Sequence, residues 1–147
     1  MATAVEVIQA TLAPIFLVSG AAIFLNFTQA RLFRVVDRLR AIGVDLHKDA
    51  EDDRREVLLV QRTMHLRRAV ILRNAILFGV LVIAFTVVTT LLLLATVEGP
   101  VPIAFFAAAL VSFAVALTLV TGDAFLSVAS VRLAAREFSE GLRPGER

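Results

Sequence analysis

NAILFGVLVIAFTVVTTLLLLATV, residues Asn74 to Val97, runs for 24 residues without a charge. A helix rises 1.5 Å per residue, so about 20 residues cross a hydrocarbon core of roughly 30 Å. The stretch is long enough to span a bilayer with room for tilt. A water-soluble helix of this length needs a polar face, and no face here carries a charge. Two further charge-free runs, Val7–Ala30 and Gly99–Gly122, have the same length. The whole chain of 147 residues is 59% apolar, more than a soluble domain carries. These runs predict an all-α integral membrane protein with three transmembrane helices, at about residues 7–30, 74–97 and 101–122.

Charge then predicts orientation. Of the 15 Lys and Arg residues, eleven lie between Arg31 and Arg73, and four follow the third run, at Arg132, Arg136, Arg143 and Arg147. Three crossings put those two regions on one side, and basic loops stay in the cytoplasm. The expectation is a plasma (inner) membrane protein with its N-terminus outside and its C-terminal segment, residues 123–147, in the cytoplasm. A cleaved signal peptide needs a basic n-region, and MATAVE carries only Glu6. The first run is therefore expected to stay as an anchor. The Asn26-Phe27-Thr28 sequon lies at the inner end of that anchor, a place that does not suit glycosylation.

The link at residues 31–73 keeps helical periodicity. Leu32, Val35, Val36, Leu39 and Ile42 carry the first helix past the membrane, to a stop at Gly43. GVDLHKDAEDD reads as the turn. From Arg54 the pattern resumes through Val57, Val60, Met64 and Ile71 into the second span. The first and second helices thus extend into a cytoplasmic helical hairpin. Gly99, Pro100 and Pro102 predict a short, stiff outer turn, and GLRPGER at the C-terminus is expected to fray.

The stretch VIQATLAPIFLVSGAAIFLNFTQARLFRVVDRLRAI, Val7 to Ile42, resembles small bacterial integral membrane proteins of the domain of unknown function 2721 family. The T-L-A-P opening, the Ser19–Ala22 cluster, Asn26 and the ending Arg31, Arg34, Asp37, Arg38 carry the resemblance. HLRRAVILRNAILF, His65 to Phe78, fits the family's basic entry into the second span. The third span and tail match by hydropathy more than by motif. The resemblance implies three spans in a bacterial plasma membrane, and no activity.

Five features bear on function or packing. Arg31, Arg34 and Arg38 fall within about 60° on a helical wheel. They can anchor the helix end against anionic lipid, or bind a phosphate-bearing ligand or the acids of the turn (Glu51, Asp52, Asp53, Glu56). Ser19, Asn26 and Asp37 share a face within about 20°. Polar groups in hydrocarbon require partners, so this face either hydrogen-bonds another helix or lines a water path in a ring of subunits. Ala104, Ala108, Ser112 and Ala116, spaced by four, offer a close helix-packing seam. Asp123 falls at the inner boundary, within reach of Arg31, Arg34 or Arg73. Pro14 frees the carbonyl of Ala10 and is expected to bend the first helix.

Catalytic chemistry has no foothold. The chain has no cysteine and two histidines, His47 and His65, which stand 18 positions apart. His47 with Asp45, Asp49 and Glu51–Asp53 lacks the ligand order of a calcium loop and reads as a solvated acidic turn. No phosphate loop, nucleophile elbow or H-E-x-x-H motif occurs. Membrane topology accounts for the basic residues without nucleic acid. The expectation is a non-enzymatic protein with no cofactor and no metal. Its first reading is a homo-oligomeric pore or transport protein whose first helix lines the path. The alternative is a scaffold whose basic hairpin docks a cytoplasmic partner or anionic lipid.

Overall fold

The computed structural model describes the backbone of residues 4–47, 52–95 and 99–141, and the side chains of residues 12–47, 55–95 and 99–127. All its secondary structure is helical: α1 (Ala4–His47), α2 (Asp52–Leu94) and α3 (Pro100–Gly141). All three are long and apolar enough to cross a membrane. At 44, 43 and 42 residues, each is about 65 Å long, roughly twice the hydrocarbon thickness. The surplus length of every helix lies on the side that carries the basic residues.

α2 is the central element and packs against both α1 and α3. The packing follows a seven-residue period. On α1 the buried positions are Pro14, Ala21, Thr28, Val35 and Ile42, and on α3 they include Pro102, Ala109, Ala116 and Asp123. α2 presents alternating steps of three and four: Leu72, Ala75, Gly79, Val82, Thr86 and Thr89. A seven-residue repeat keeps one face turned toward a neighbour with about 20° of drift per repeat, the geometry of left-handed helix pairs.

Small residues on these stripes bring the helices close. A Cβ placed on Gly79 would lie 2.7 Å from Leu25 Cδ2, so α1 occupies the space that a side chain there would need. α1 and α3 meet edge-to-face through Phe24 and Phe113, with centroids 5.7 Å apart, and Phe85 of α2 leans on Phe105 of α3. The buried hydroxyls need no cross-helix partner. Thr28, Thr86, Thr89 and Ser112 each donate to the carbonyl four residues back, at 2.7–2.8 Å.

The hairpin differs from expectation in its connection. α1 does not stop at Gly43 but continues to His47, and α2 begins at Asp52, so the connection is shorter than GVDLHKDAEDD. Gly43 stays in the helix at negative φ, because the stripe that buries Ile42 continues to Leu46. That contact offsets the cost of about 1 kcal/mol for a glycine in a helix. α3 also continues past its span: the backbone remains helical to Gly141, with neither glycine nor proline between Gly122 and that residue.

On α2 the stripe Val57, Val60, Met64 faces outward, with exposures of 46%, 52% and 43%. α2 turns Leu58, Gln61, His65 and Arg68 inward instead. These four continue the three-four spacing of the span, so packing register overrides local hydrophobicity. Leu32, Val35, Val36, Leu39 and Ile42 of α1 do pack inward, as their spacing predicts.

At the opposite end, Gly99 adopts φ +115°, a left-handed turn that favours glycine, and Pro100 opens α3 with its fixed φ. α1 runs on through Pro14.

Candidate functional site

The most polar buried position belongs to α3. Asp123 continues the column Pro102, Ala109, Ala116, so the seven-residue period carries its side chain into the packed face, where it is fully buried. A lone carboxylate there is costly unless paired and hydrogen-bonded. α2 supplies Arg68 from its own inward stripe, and Arg68 Nε donates to Asp123 Oδ1 at 2.8 Å. α1 supplies Arg31, three residues beyond buried Thr28, with Nη2 3.5 Å from Oδ2. At that distance the contact is an ion pair rather than a hydrogen bond, and Oδ2 has no donor. The Arg31 guanidinium also lies 5.4 Å from the Phe27 ring centroid. One residue from each helix therefore meets in a single layer, at the basic-side end of the three charge-free runs.

Arg31 as a partner of Asp123 agrees with the sequence. Arg68 takes the place there expected of Arg34 or Arg73, both of which are exposed. One turn beyond Arg68, His65 is also on the inward stripe, and its Nδ1 is buried with no hydrogen-bond partner.

The polar line of α1 points the other way. Ser19, Asn26 and Asp37 are all exposed, on a face turned away from α2 and α3. Ser19 donates to its own helix, to the Ile15 carbonyl at 3.0 Å. Asp37 faces Arg40 at 3.5 Å, with both side chains more than 70% exposed. The Asn26 carboxamide has no hydrogen bond among the described residues. Within one chain, then, this face does not glue helices together. Arg34 and Arg38 are exposed beside it, and Arg31 is half-buried.

Of the four-step ladder on α3, Ser112 and Ala116 are buried against α2, Ala108 is at the edge, and Ala104 is exposed. Steps of four rotate about 40° each, so a four-member ladder turns off the contact face where a seven-step column stays on it.

Among the described residues no three His, Asp or Glu side chains gather as a metal site. His47 Nδ1 lies 3.2 Å from the Gly43 carbonyl of its own helix. The side chains of Asp49 and Glu51–Asp53, and those of Arg132, Arg136, Arg143 and Arg147, lie outside the described residues.

A three-span helical membrane protein, its helices tied at one level by a buried carboxylate, is the class these features define. The chain belongs to the family described as Protein of unknown function (DUF2721), whose model matches residues 11–133. That match covers the second and third spans, all but the first few residues of the first, and the Arg31–Arg68–Asp123 layer. No curated protein and no solved structure matches the chain.

Proposed function

We propose that the protein is a homo-oligomeric pore or transport protein of the plasma membrane, with the exposed face of α1 turned toward a second copy and a water-filled path. In this reading the N-terminus is outside, the basic hairpin and C-terminus are cytoplasmic, and the chain performs no catalysis of its own. One observation supports it most: Asn26 sits within the charge-free run, exposed, with no hydrogen-bond partner among the described residues. A carboxamide facing hydrocarbon costs several kcal/mol by an order-of-magnitude estimate, whereas water or a neighbouring subunit satisfies it. Three helices are too few to enclose water, so the path requires several subunits. The test is the oligomeric state in nanodiscs together with ion flux in liposomes. The reading expects an oligomer, and Asn26→Leu or Asp37→Ala should alter flux while leaving assembly intact. A monomeric protein, or wild-type liposomes without flux, would contradict it.

A second reading is favoured by a different observation. Val57, Val60 and Met64 form an exposed apolar stripe on the part of α2 that extends beyond the span. Such a stripe on a segment bathed in water suits a scaffold that docks a cytoplasmic helix by its apolar face. This reading predicts that Val60→Asp with Met64→Asp abolishes recovery of a specific partner from membranes. Recovery of the same partner by wild type and variant would set it aside.

A further inference from the structure

The layer that ties the helices together is not electrically neutral. Two guanidiniums, Arg31 and Arg68, face a single carboxylate, Asp123. Arg68 commits its Nε to that carboxylate, and the remaining N–H groups of its guanidinium are left over, since an arginine carries five donors. Arg31 makes only a 3.5 Å ion pair and a contact with the Phe27 ring. The surplus positive charge therefore sits in side chains that are 21% and 15% exposed, too enclosed for full hydration yet open enough to be reached. No second acid comes to this level among the described side chains. Asp37 is exposed beside Arg40, and Asp45 and Glu56 stand 14 and 12 positions from Arg31 and Arg68 along their helices.

Position decides which anion fits. Arg31 and Asp123 are the first charged residues after their charge-free runs, and Arg68 lies on the basic side of the second. The layer thus coincides with the headgroup zone of a bilayer, where phosphate is the abundant anion. Guanidinium matches phosphate oxygens in a two-pronged geometry.

We infer that Arg31 and Arg68 form a binding site for a net-anionic phosphate group, held at the headgroup level of the membrane, with Asp123 as the positioning residue that fixes both guanidiniums. Arg34 and Arg38, on the same face of α1 as Arg31, add attraction without being enclosed. The site deepens the lipid contact expected of the basic helix end, and it does not depend on a pore: a monomer would carry it equally well.

The test uses the full chain, delipidated in non-ionic detergent, and reads lipid retention by native mass spectrometry. The probes are phosphatidylglycerol, phosphatidylcholine and inorganic phosphate. One basic residue near a membrane surface changes affinity for anionic lipid about five-fold. The wild type should retain phosphatidylglycerol over phosphatidylcholine by at least about that factor. Arg31→Gln leaves the Arg68–Asp123 hydrogen bond in place, and it should lose the preference. Arg31→Lys, which keeps the charge, should retain it. So should Arg55→Gln, an exposed change 13 positions from Arg68 in α2. Inorganic phosphate that displaces the lipid would assign the site to a soluble phosphate, and failure to displace it would assign the site to the headgroup. Equal retention of both lipids by the wild type overturns the inference, as does an identical response from Arg31→Gln and Arg55→Gln.

Discussion

Arg68 and Asp123, 55 positions apart in the chain, are joined by a 2.8 Å hydrogen bond that ties α2 to α3 at the boundary of their spans. The bond secures the one charged residue, Asp123, of a column otherwise made of proline and alanine. A polar residue at one core position of a seven-residue repeat sets register, because any slip leaves it unpaired.

Loss of the carboxylate should therefore be expensive. Asp123→Ala leaves two enclosed guanidiniums without a counter-charge, and breaking such a pair costs about 3–5 kcal/mol. Thermal unfolding followed by circular dichroism in detergent should show the loss. A double-mutant cycle should find stronger coupling between Arg68 and Asp123 than between Arg31 and Asp123, following the 2.8 Å and 3.5 Å contacts. Equal couplings would mean that the layer is held by charge alone, with no role for the hydrogen bond.

Gly79 sets the distance between α1 and α2. Leu25 Cδ2 is the flexible end of a side chain, so Gly79→Ala should be absorbed by a rotamer change at Leu25. Gly79→Val adds branches that Leu25 cannot clear, and overpacking of this kind costs about 1–3 kcal/mol. Leu25→Ala should recover part of that loss. A Gly79→Val protein as stable as wild type would show that the two helices do not approach closely at this level.

The hairpin offers a contrast between two stripes. Val35→Asp and Ile42→Asp strike buried positions and should destabilise the α1–α2 pair strongly. Val60→Asp and Met64→Asp alter exposed positions, where surface changes stay within about 0.5 kcal/mol. Melting temperatures of the four variants decide which face of the hairpin is packed. If Val60→Asp is as damaging as Ile42→Asp, α2 is rotated relative to this description.

The spans and the helical hairpin were legible because the solvent imposes them: stretches that meet hydrocarbon exclude charge, and that signal survives without knowledge of neighbours. Register was harder to see. Val57, Val60 and Met64 form a convincing apolar stripe on their own, yet the inward face is set by continuity with Leu72, Ala75 and Gly79 farther along the same helix. The seven-step column Pro102, Ala109, Ala116, Asp123 is present in the sequence, but it is overlaid by the four-step ladder of small residues beginning at Ala104. Arg68 was hidden among neighbours. Arg62, Arg67 and Arg73 share its stretch, topology accounts for them all, and only the three-four spacing from Leu72 singles it out. Gly43 lies inside α1 because a glycine marks a helix end only when packing does not continue past it.

In the proposed assembly the Asn26 face of α1 meets another copy of the chain. The absence of cysteine makes a direct test clean, since a single introduced thiol has no background. Oxidative cross-linking in native membranes should be run on Asn26→Cys, with Leu77→Cys as the control, an exposed position on α2 at similar depth. Asn26→Cys should give cross-linked dimers, and Leu77→Cys little or no product. If Asn26→Cys stays monomeric, or links no better than the control, the face is turned to lipid and the assembly proposed here does not form through it.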